Sequence, residues 1–302
     1  MATTSSGACF TVASSAAGIL ARPGNASGGR RRPGVVRHSG GMTIVRVAAC
    51  QLTATEDIAA NLAAATEAIG RAADAGAVLV ALPEATLAPF DAPLRELAQP
   101  LDGPFATGIR EAARARGVTV VVGTLTPAES GERVRNTLLV TGPGVEERYD
   151  KIHLYDAYGS RESELVEPGD RIVTVDVPTP SGPLRIGLAT CYDVRFADQF
   201  TALGRAGAQL VVLPASWGEG PGKAEQWDLL VRARAHDAQA WLLACDQAWT
   251  PPRGKAALGI GRSALLDPSG GVRARLDHAP GLLVGEIDLE AVTATRRRVP
   301  LL

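Results

Sequence analysis

The sequence predicts an α/β fold built from two similar halves. Short apolar runs alternate with helical patterns along most of the chain, which favours sheets whose faces are covered by helices. The segment Ala75–Pro83 matches Ala206–Pro214, and each copy follows a strand pattern and then a helix pattern, which indicates an internal repeat. With 302 residues, of which 46% are hydrophobic, the chain can bury a large core.

The first half opens with the apolar, β-branched run Ile44–Gln51, which predicts a buried strand. Helical spacing over Asp57–Ala75 predicts a helix that ends at Gly76. A second strand over Val78–Leu82 is stopped by Pro83. One helix and three strands complete this half: Phe105–Arg116, Val118–Thr124, Thr137–Thr141 and Val145–Tyr149.

The second half repeats the alternation. Its predicted strands are the apolar runs Leu184–Thr190, Leu210–Pro214, Trp241–Cys245, Ser263–Asp267 and Leu282–Asp288. Helical patterns cover Phe196–Ala206 and Glu225–Ala238. Gly218–Lys223 has glycines and a lysine without the spacing of a phosphate-binding loop, so we interpret it as a mobile loop.

The first 41 residues differ from the rest. They contain five Arg, no Asp or Glu, and many Ser, Ala and Gly, which indicates a disordered extension before a folded domain over residues 42–302. We interpret Met42 as the functional start of the chain, with an organelle transit segment as the alternative. The first interpretation places the protein in the cytoplasm, and the second places it in an organelle.

Charge and cysteine spacing exclude several function classes. The formal net charge is −1, which gives no basic surface for nucleic acid or an anionic membrane. No uncharged apolar run reaches the length of a membrane-spanning helix. The four Cys are far apart and no CxxC occurs, so neither a disulfide framework nor a metal site is predicted.

Two chemically active side chains follow predicted strands. Glu84 comes after the first repeat, and Cys191 comes after the strand Leu184–Thr190. Because sites in α/β proteins form beyond the carboxyl ends of strands, we expect a site there. Cys191 is either a reactive thiol or a buried core cysteine. Its base is either a histidine or a carboxylate near a lysine such as Lys151.

Several ordered motifs resemble the nitrilase superfamily of carbon–nitrogen hydrolases. Three signature-like blocks are Leu82–Glu84, Tyr149–Leu154 and Ala189–Phe196, and four further matching segments are Arg161–Ser163, Leu213–Trp217, Trp227–Ala235 and Gly285–Asp288. The resemblance covers about residues 44–302. It implies a four-layer α-β-β-α sandwich of two similar halves, in agreement with the internal repeat.

The resemblance also implies a catalytic set. Cys191 corresponds to the nucleophile, Glu84 to the general base and Lys151 to the residue that stabilises the oxyanion together with a backbone N–H near Tyr192. Glu162 corresponds to a second glutamate that helps to position the substrate. The reaction so implied requires neither a metal nor a cofactor.

Three residues are candidates for substrate binding: Tyr192, Arg195 and Trp217. Arg195 either binds a substrate carboxylate or pairs with a neighbouring acid such as Asp193. Trp217 either forms a wall of the pocket or belongs to the core.

Several functions remain open. The stretches Tyr155–Gly159 and Arg161–Ser163 resemble the amidase branch, which favours small linear amides such as ω-amides of dicarboxylic acids or substrates like deaminated glutathione. The alternatives are a nitrile or N-carbamoyl hydrolase with the same residues, and a non-catalytic binding module. The resemblance implies a small-molecule substrate and a second copy of the chain as partners, with the copies paired through Phe196–Ala206 and Glu225–Ala238.

Overall fold

The computed structural model of the protein describes residues 43–251 and 258–302. The predicted N-terminal extension over residues 1–41, with Met42, lies outside the described residues. In the two described ranges, no helix combines the length and the hydropathy that crossing a membrane requires.

The chain forms twelve strands and six helices in its described part. In chain order the strands are β1 (Ile44–Gln51), β2 (Leu79–Ala81), β3 (Thr119–Pro127), β4 (Val134–Gly142), β5 (Val145–Asp150), β6 (Thr174–Val177), β7 (Leu184–Leu188), β8 (Leu210–Ala215), β9 (Trp241–Asp246), β10 (Ala264–Leu266), β11 (Val272–Arg275) and β12 (Gly281–Asp288). The helices are α1 (Ile58–Asp74), α2 (Leu94–Leu97), α3 (Pro104–Arg116), α4 (Ala197–Arg205), α5 (Lys223–Ala238) and α6 (Leu289–Arg298).

The strands form two six-stranded sheets. The first has the order β12-β1-β2-β3-β4-β5, and the second has the order β11-β10-β9-β8-β7-β6. The centre of each sheet is parallel, with β1, β2 and β3 in the first and β7, β8 and β9 in the second. The flanking strands are antiparallel, so both sheets are mixed.

Helices and sheets stack in four layers. Side chains of both sheets, among them Val47 and Leu79 of the first and Ile186 and Leu210 of the second, share one buried apolar cluster between the sheets. Helices α1 and α3 cover the outer face of the first sheet, and α4 and α5 cover the outer face of the second. This arrangement confirms the predicted α/β class.

The internal repeat occupies equivalent places in the two sheets. Its copies contain β2 and β8, and each begins at a turn whose glycine has a positive φ, 84° at Gly76 and 88° at Gly207. In both copies the backbone N–H two residues after this glycine donates to an arginine carbonyl of the preceding strand. Val78 donates to Arg46 at 2.9 Å, and Gln209 donates to Arg185 at 2.8 Å. The sequence match therefore reflects a shared strand–helix–strand unit.

The structure corrects one strand and adds several elements. The predicted strand Leu184–Thr190 ends at Leu188, because the Thr190 N–H donates to the Asp193 carboxylate at 2.8 Å and leaves the sheet ladder. Lys223 is the first residue of α5, although the sequence placed it in a loop. The elements β6, β11, α2 and α6 were not predicted.

Candidate active site

Three predicted side chains meet where strands of the two sheets end. The first sheet supplies Glu84, which follows β2, and Lys151, which follows β5 directly. The second sheet supplies Cys191, which follows β7 and begins a 3₁₀ turn that ends at Arg195. All three side chains are buried.

Glu84 is held by donors from three parts of the chain. Its Oε1 accepts from Lys151 Nζ at 3.0 Å and from Asn136 Nδ2 at 2.7 Å. Its Oε2 accepts from the Ser216 backbone N–H at 2.8 Å. Ser216 follows β8, so the two copies of the repeat meet at this carboxylate. A buried carboxylate with three donors has a fixed orientation.

The Glu84 turn lies directly against β3. A Cβ atom at Gly123 would lie 2.5 Å from Glu84 Cα and 2.6 Å from the Pro83 carbonyl oxygen. The Gly123 N–H donates to that same carbonyl at 3.1 Å. Position 123 therefore requires glycine, because any larger residue would push the Glu84 turn away from the sheet.

Lys151 joins Glu84 to Glu162. Its Nζ lies 3.0 Å from Glu84 Oε1 and 2.9 Å from Glu162 Oε2. Burial lowers the pKa of Lys151, but the negative charges of Glu162 and Glu84 outweigh that effect, so the pKa lies well above its ordinary value of 10.5. The Lys151 side chain is thus a permanent cation between two carboxylates.

A backbone hydrogen bond also holds Glu162 in place. It lies in a short 3₁₀ turn over Glu162–Glu164, and its Oε2 accepts from the Tyr155 N–H at 2.6 Å. Asn136 on β4 bridges the two glutamates, because its Nδ2 also lies 3.2 Å from Glu162 Oε1. Glu162 and Asn136 therefore fix Lys151 and Glu84 relative to each other.

Cys191 occupies a strained position at the end of β7. Its φ is 45°, in the left-handed region that non-glycine residues seldom adopt. Burial, and then the negative charge of Glu84, raise the pKa of the thiol well above its ordinary value of 9.0. The positive charge of Lys151 acts in the opposite direction. The resting group is therefore a neutral thiol, and the Glu84 charge contributes to keeping it protonated.

Asp193 anchors the turn that carries Cys191. Its Oδ2 accepts from the Tyr149 hydroxyl at 2.5 Å and from the Thr190 N–H at 2.8 Å. Its Oδ1 accepts from the His153 N–H at 3.0 Å and contacts His153 Nδ1 at 2.9 Å. The carboxylate thus ties the Cys191 turn to β5 and to the segment after Lys151, and it orients His153 rather than pairing with Arg195.

The three predicted binding residues lie together beside Cys191. The Arg195 guanidinium carbon lies 5.5 Å from the centroid of the Tyr192 ring and 4.9 Å from that of Trp217. Arg195 Nη2 donates to Gln226 at 2.8 Å. The Trp217 ring is buried, and its indole N–H donates to the Lys223 carbonyl at 3.0 Å. Trp217 is thus both a core residue and a contact of the arginine.

Three contributors to the site carried no assigned role in the sequence. Asn136 lies within a strand, Ser216 acts through its backbone N–H, and Lys223 reaches the aromatic side chains near Arg195. Ser216 lies within Leu213–Trp217, a segment that resembles the family, and Lys223 ends the glycine-rich segment Gly218–Lys223. The sequence therefore contains a local feature at both positions. In the described ranges, no group of three or more His, Cys, Asp or Glu has an arrangement that could hold a metal ion.

Comparisons with known proteins identify the family of the chain. The carbon–nitrogen hydrolase family model matches residues 46–297. A protein named hydrolase Rv0480c from Mycobacterium tuberculosis is 44% identical and covers 85% of this chain and 94% of its own length. The deaminated glutathione amidase of Escherichia coli O157:H7 is 31% identical and covers 85% of this chain and 95% of its own.

A solved structure shares the fold. The structure of Nit3 from Saccharomyces cerevisiae, a member of branch 10 of the nitrilase superfamily, superposes with a TM-score of 0.74 at 27% identity and covers 85% of this chain and 95% of its own. The family match spans most of the chain and includes the strand ends that carry Glu84, Lys151 and Cys191. The chain therefore belongs to the carbon–nitrogen hydrolase family of the nitrilase superfamily.

Proposed function

We propose that the protein is an amidase that cleaves small linear amides, including ω-amides of dicarboxylic acids, through a Cys191 thioester. One observation carries this proposal: Lys151 Nζ binds the Glu84 carboxylate at 3.0 Å, and the charges of both residues act on the buried thiol of Cys191. A thiol, a fixed base and a permanent cation are the groups that acyl transfer requires. The amidase name of the E. coli relative supports the choice of substrate.

The first step forms a bond between Cys191 Sγ and the carbonyl carbon of the amide. As sulfur attacks, its proton passes to Glu84, so no thiolate needs to be stored. The carbonyl oxygen becomes negatively charged in the tetrahedral intermediate. The Lys151 ammonium and the Tyr192 backbone N–H are the proposed donors to that oxygen.

The intermediate then loses its nitrogen. Glu84 returns the proton to the amide nitrogen as the carbon–nitrogen bond breaks, which releases ammonia and leaves a thioester on Cys191. Water next attacks the thioester carbonyl and gives a proton to Glu84. The carbon–sulfur bond breaks, the sulfur recovers that proton, and the carboxylic acid leaves.

We assign supporting roles to Glu162 and Asn136. Both contact the catalytic pair, with Glu162 on Lys151 and Asn136 on Glu84. Their contacts hold the base and the cation at the distance that attack requires. Small displacements of such groups are expected to lower kcat more than they raise KM.

Ammonia release from a substrate panel tests this function. The panel contains small primary amides, ω-amides of dicarboxylic acids, nitriles and N-carbamoyl compounds, each with wild type and with Cys191→Ala. We expect turnover of amides that is absent from the variant. Turnover of nitriles or N-carbamoyl compounds alone would replace the proposed substrate class, and no turnover of any compound would favour a binding module.

We further propose that the protein is a cytoplasmic homodimer. A thiol nucleophile must stay reduced, and the three cysteines of the described ranges are free, which suits a reducing compartment. The proposed interface uses α4 and α5. On α5, Leu229 is 67% exposed, and Phe196 just before α4 is 37% exposed, so both offer apolar surface to a partner.

A further inference from the structure

Two cations lie against one aromatic ring beside Cys191. Lys223 Nζ is 5.1 Å from the centroid of the Trp217 ring, and the Arg195 guanidinium carbon is 4.9 Å from the same centroid. Lys223 Nζ is also 4.4 Å from the Tyr158 ring, and it lies 3.1 Å from the Tyr155 hydroxyl. Aromatic faces stabilise a cation only partly, so this pair of positive charges requires a further explanation.

Neither cation has a carboxylate partner in residues 43–251 and 258–302. The rest of the sequence contains no Asp or Glu. Glu219 lies near Lys223 in sequence, but its carboxylate accepts from the Trp249 indole N–H. Lys223 is nevertheless only 7% exposed. A buried ammonium without an anion is costly and therefore points to a ligand that supplies the missing charge.

The side chain of Arg195 gives a second indication of an anionic ligand. The Nε atom of Arg195 is buried and has no hydrogen-bond partner among the described residues. Most buried donors are paired, so an arginine with a free Nε beside a lysine has unused capacity for an oxygen ligand.

The two cations are electrostatically coupled to each other and to the nucleophile. Burial, and then the charge of Arg195, lower the pKa of Lys223, while Cys191 raises it. An anion placed between the two cations would offset both causes of the lowered pKa. Arg195 ends the 3₁₀ turn that Cys191 begins, and its guanidinium lies over the ring of Tyr192, the residue after the thiol. A small substrate whose reacting carbon lies at Cys191 can therefore reach this position.

The loop before α5 presents Lys223 to the site. Gly222 has a φ of 72°, in the left-handed region, and Lys223 follows it as the first residue of the helix. The Lys223 carbonyl accepts from the Trp217 indole, which fixes the helix end to the aromatic cluster.

We propose that Lys223 is a specificity-determining residue which, with Arg195, binds an anionic group at the end of the amide substrate opposite the scissile bond. The inference rests on the proposed amidase function and deepens it: the site selects amides whose acyl chain carries a carboxylate over neutral amides of the same length. Lys223 sets the strength of that selection.

A kinetic comparison tests the proposal. Succinamate and butyramide have the same chain length, but only succinamate carries a carboxylate. We expect Lys223→Met to lower the ratio of kcat/KM for succinamate to that for butyramide by about 10- to 100-fold, mainly through KM of succinamate, because a charge-assisted contact is lost. Lys223→Arg restores much of the ratio. Arg114→Met, which removes an exposed charge on α3, leaves it unchanged.

An equal loss for both amides in Lys223→Met would assign Lys223 a structural role and overturn the proposal. An unchanged ratio would overturn it as well. Both outcomes are distinct from failure of the proposed function, in which wild type hydrolyses neither amide.

A second measurement requires no turnover. Succinate is used to protect Cys191 from alkylation by iodoacetamide, and the labelled peptide is quantified by mass spectrometry. We expect the half-protecting concentration of succinate to rise about tenfold or more in Lys223→Met and to recover in Lys223→Arg. Butyrate, which has the same chain length but lacks the second carboxylate, should protect wild type and Lys223→Met alike. Failure of succinate to protect wild type, or equal protection of both proteins, would refute the anion site even if amides are hydrolysed.

Discussion

The Tyr149 hydroxyl donates a hydrogen bond to Asp193 Oδ2 at 2.5 Å. Tyr149 belongs to β5 of the first sheet, and Asp193 belongs to the turn after β7 of the second. Lys151 lies two residues after the tyrosine, and Cys191 lies two residues before the aspartate. One buried hydrogen bond therefore sets the position of the proposed nucleophile relative to the proposed oxyanion-stabilising cation.

Tyr149→Phe tests this link. The variant keeps the buried ring but leaves Asp193 Oδ2 with only the Thr190 N–H, and it removes the acceptor used by Gln199 Nε2 at 3.0 Å. We expect the free energy of unfolding to fall by about 1–3 kcal/mol, as for other buried polar groups left unpaired. We also expect kcat to fall while KM changes less, because Cys191 and Lys151 lose their alignment.

Chemical denaturation and steady-state kinetics check both expectations. Burial raises the pKa of Tyr149 well above its ordinary value, and the charge of Asp193 adds to that effect, so the hydroxyl is a neutral donor at neutral pH. Wild-type kcat in Tyr149→Phe would show that the tie between the sheets does not matter for catalysis.

Cys191→Ala is expected to abolish turnover without loss of the fold. The substitution removes the only atom that can form the thioester, whereas the turn remains held by Asp193. Cys50→Ala is the matched control, because Cys50 is a second buried cysteine, with Sγ 3.7 Å from the Ala68 carbonyl oxygen. It should lose about 1 kcal/mol of stability and keep its activity. Turnover by Cys191→Ala above a small fraction of wild type would place the chemistry elsewhere.

Sequence patterns located the elements that are defined by local signals. The strand predicted over Ile44–Gln51 has the observed bounds of β1, since an apolar run that is buried on both faces needs no tertiary information to be recognised. The helix predicted over Asp57–Ala75 includes both caps of α1. The Asp57 side chain accepts from the Ala60 N–H at 3.0 Å, and Ala75 is the C-cap.

Elements and residues that depend on tertiary contacts were missed. Strands β6 and β11 lie at the edges of the second sheet and carry exposed or charged residues, so only pairing with β7 and β10 defines them. Glu84 and Cys191 were predicted because they follow strands. Asn136 could not be predicted, because a polar residue within a strand has no distinctive local pattern. Its role becomes visible only in the fold, which brings Glu84 and Glu162 to it.

The role of Lys223 could not be predicted from the sequence either. The glycines before it indicate a turn, but the direction of its side chain depends on Trp217 and Tyr155, which come from distant parts of the chain. The internal repeat, by contrast, predicted the two similar halves. Ser216 and Glu84, which are in contact, lie just beyond the ends of its two copies.

Glu162→Gln is expected to lower kcat by about 10- to 100-fold with a smaller change in KM, because it removes one of two negative charges that orient Lys151 and keep its pKa high. The amide can still accept from the Tyr155 N–H, so the local turn is retained. Glu164→Gln is the control, since Glu164 lies in the same turn but is exposed and pairs with the exposed Arg161 at 3.5 Å. Equal effects of the two variants would contradict the proposed role.

Leu229→Glu is expected to convert the proposed homodimer into monomers. Leu229 is 67% exposed on α5, and a charge in an apolar interface opposes association. Light scattering at micromolar concentration measures the mass, and thermal unfolding checks that the protomer remains folded. A monomeric wild type, or a variant of unchanged mass, would refute this interface.

The pH dependence of Cys191 alkylation distinguishes a stored thiolate from a thiol that Glu84 deprotonates during attack. The pKa of Cys191 is raised above 9.0, so between about pH 7 and 9 the thiol is protonated. If the thiolate alone reacted, the rate with iodoacetamide would rise about tenfold per pH unit over that range. With Glu84 as the base, we expect a nearly flat profile.

The variant Glu84→Gln is compared with wild type in the same alkylation measurement. The amide cannot take the proton, so alkylation must proceed through the thiolate, and the rate should rise with pH although turnover is lost. Removal of the Glu84 charge also lowers the pKa of Cys191, since that charge is one of the causes that raise it. The variant can therefore be alkylated faster than wild type at pH 9 while hydrolysing nothing.

Burial raises the pKa of Cys50 to about 12 and that of Cys245 well above its usual value, so neither competes for the reagent. Identical pH profiles in wild type and Glu84→Gln would show that Glu84 is not the base.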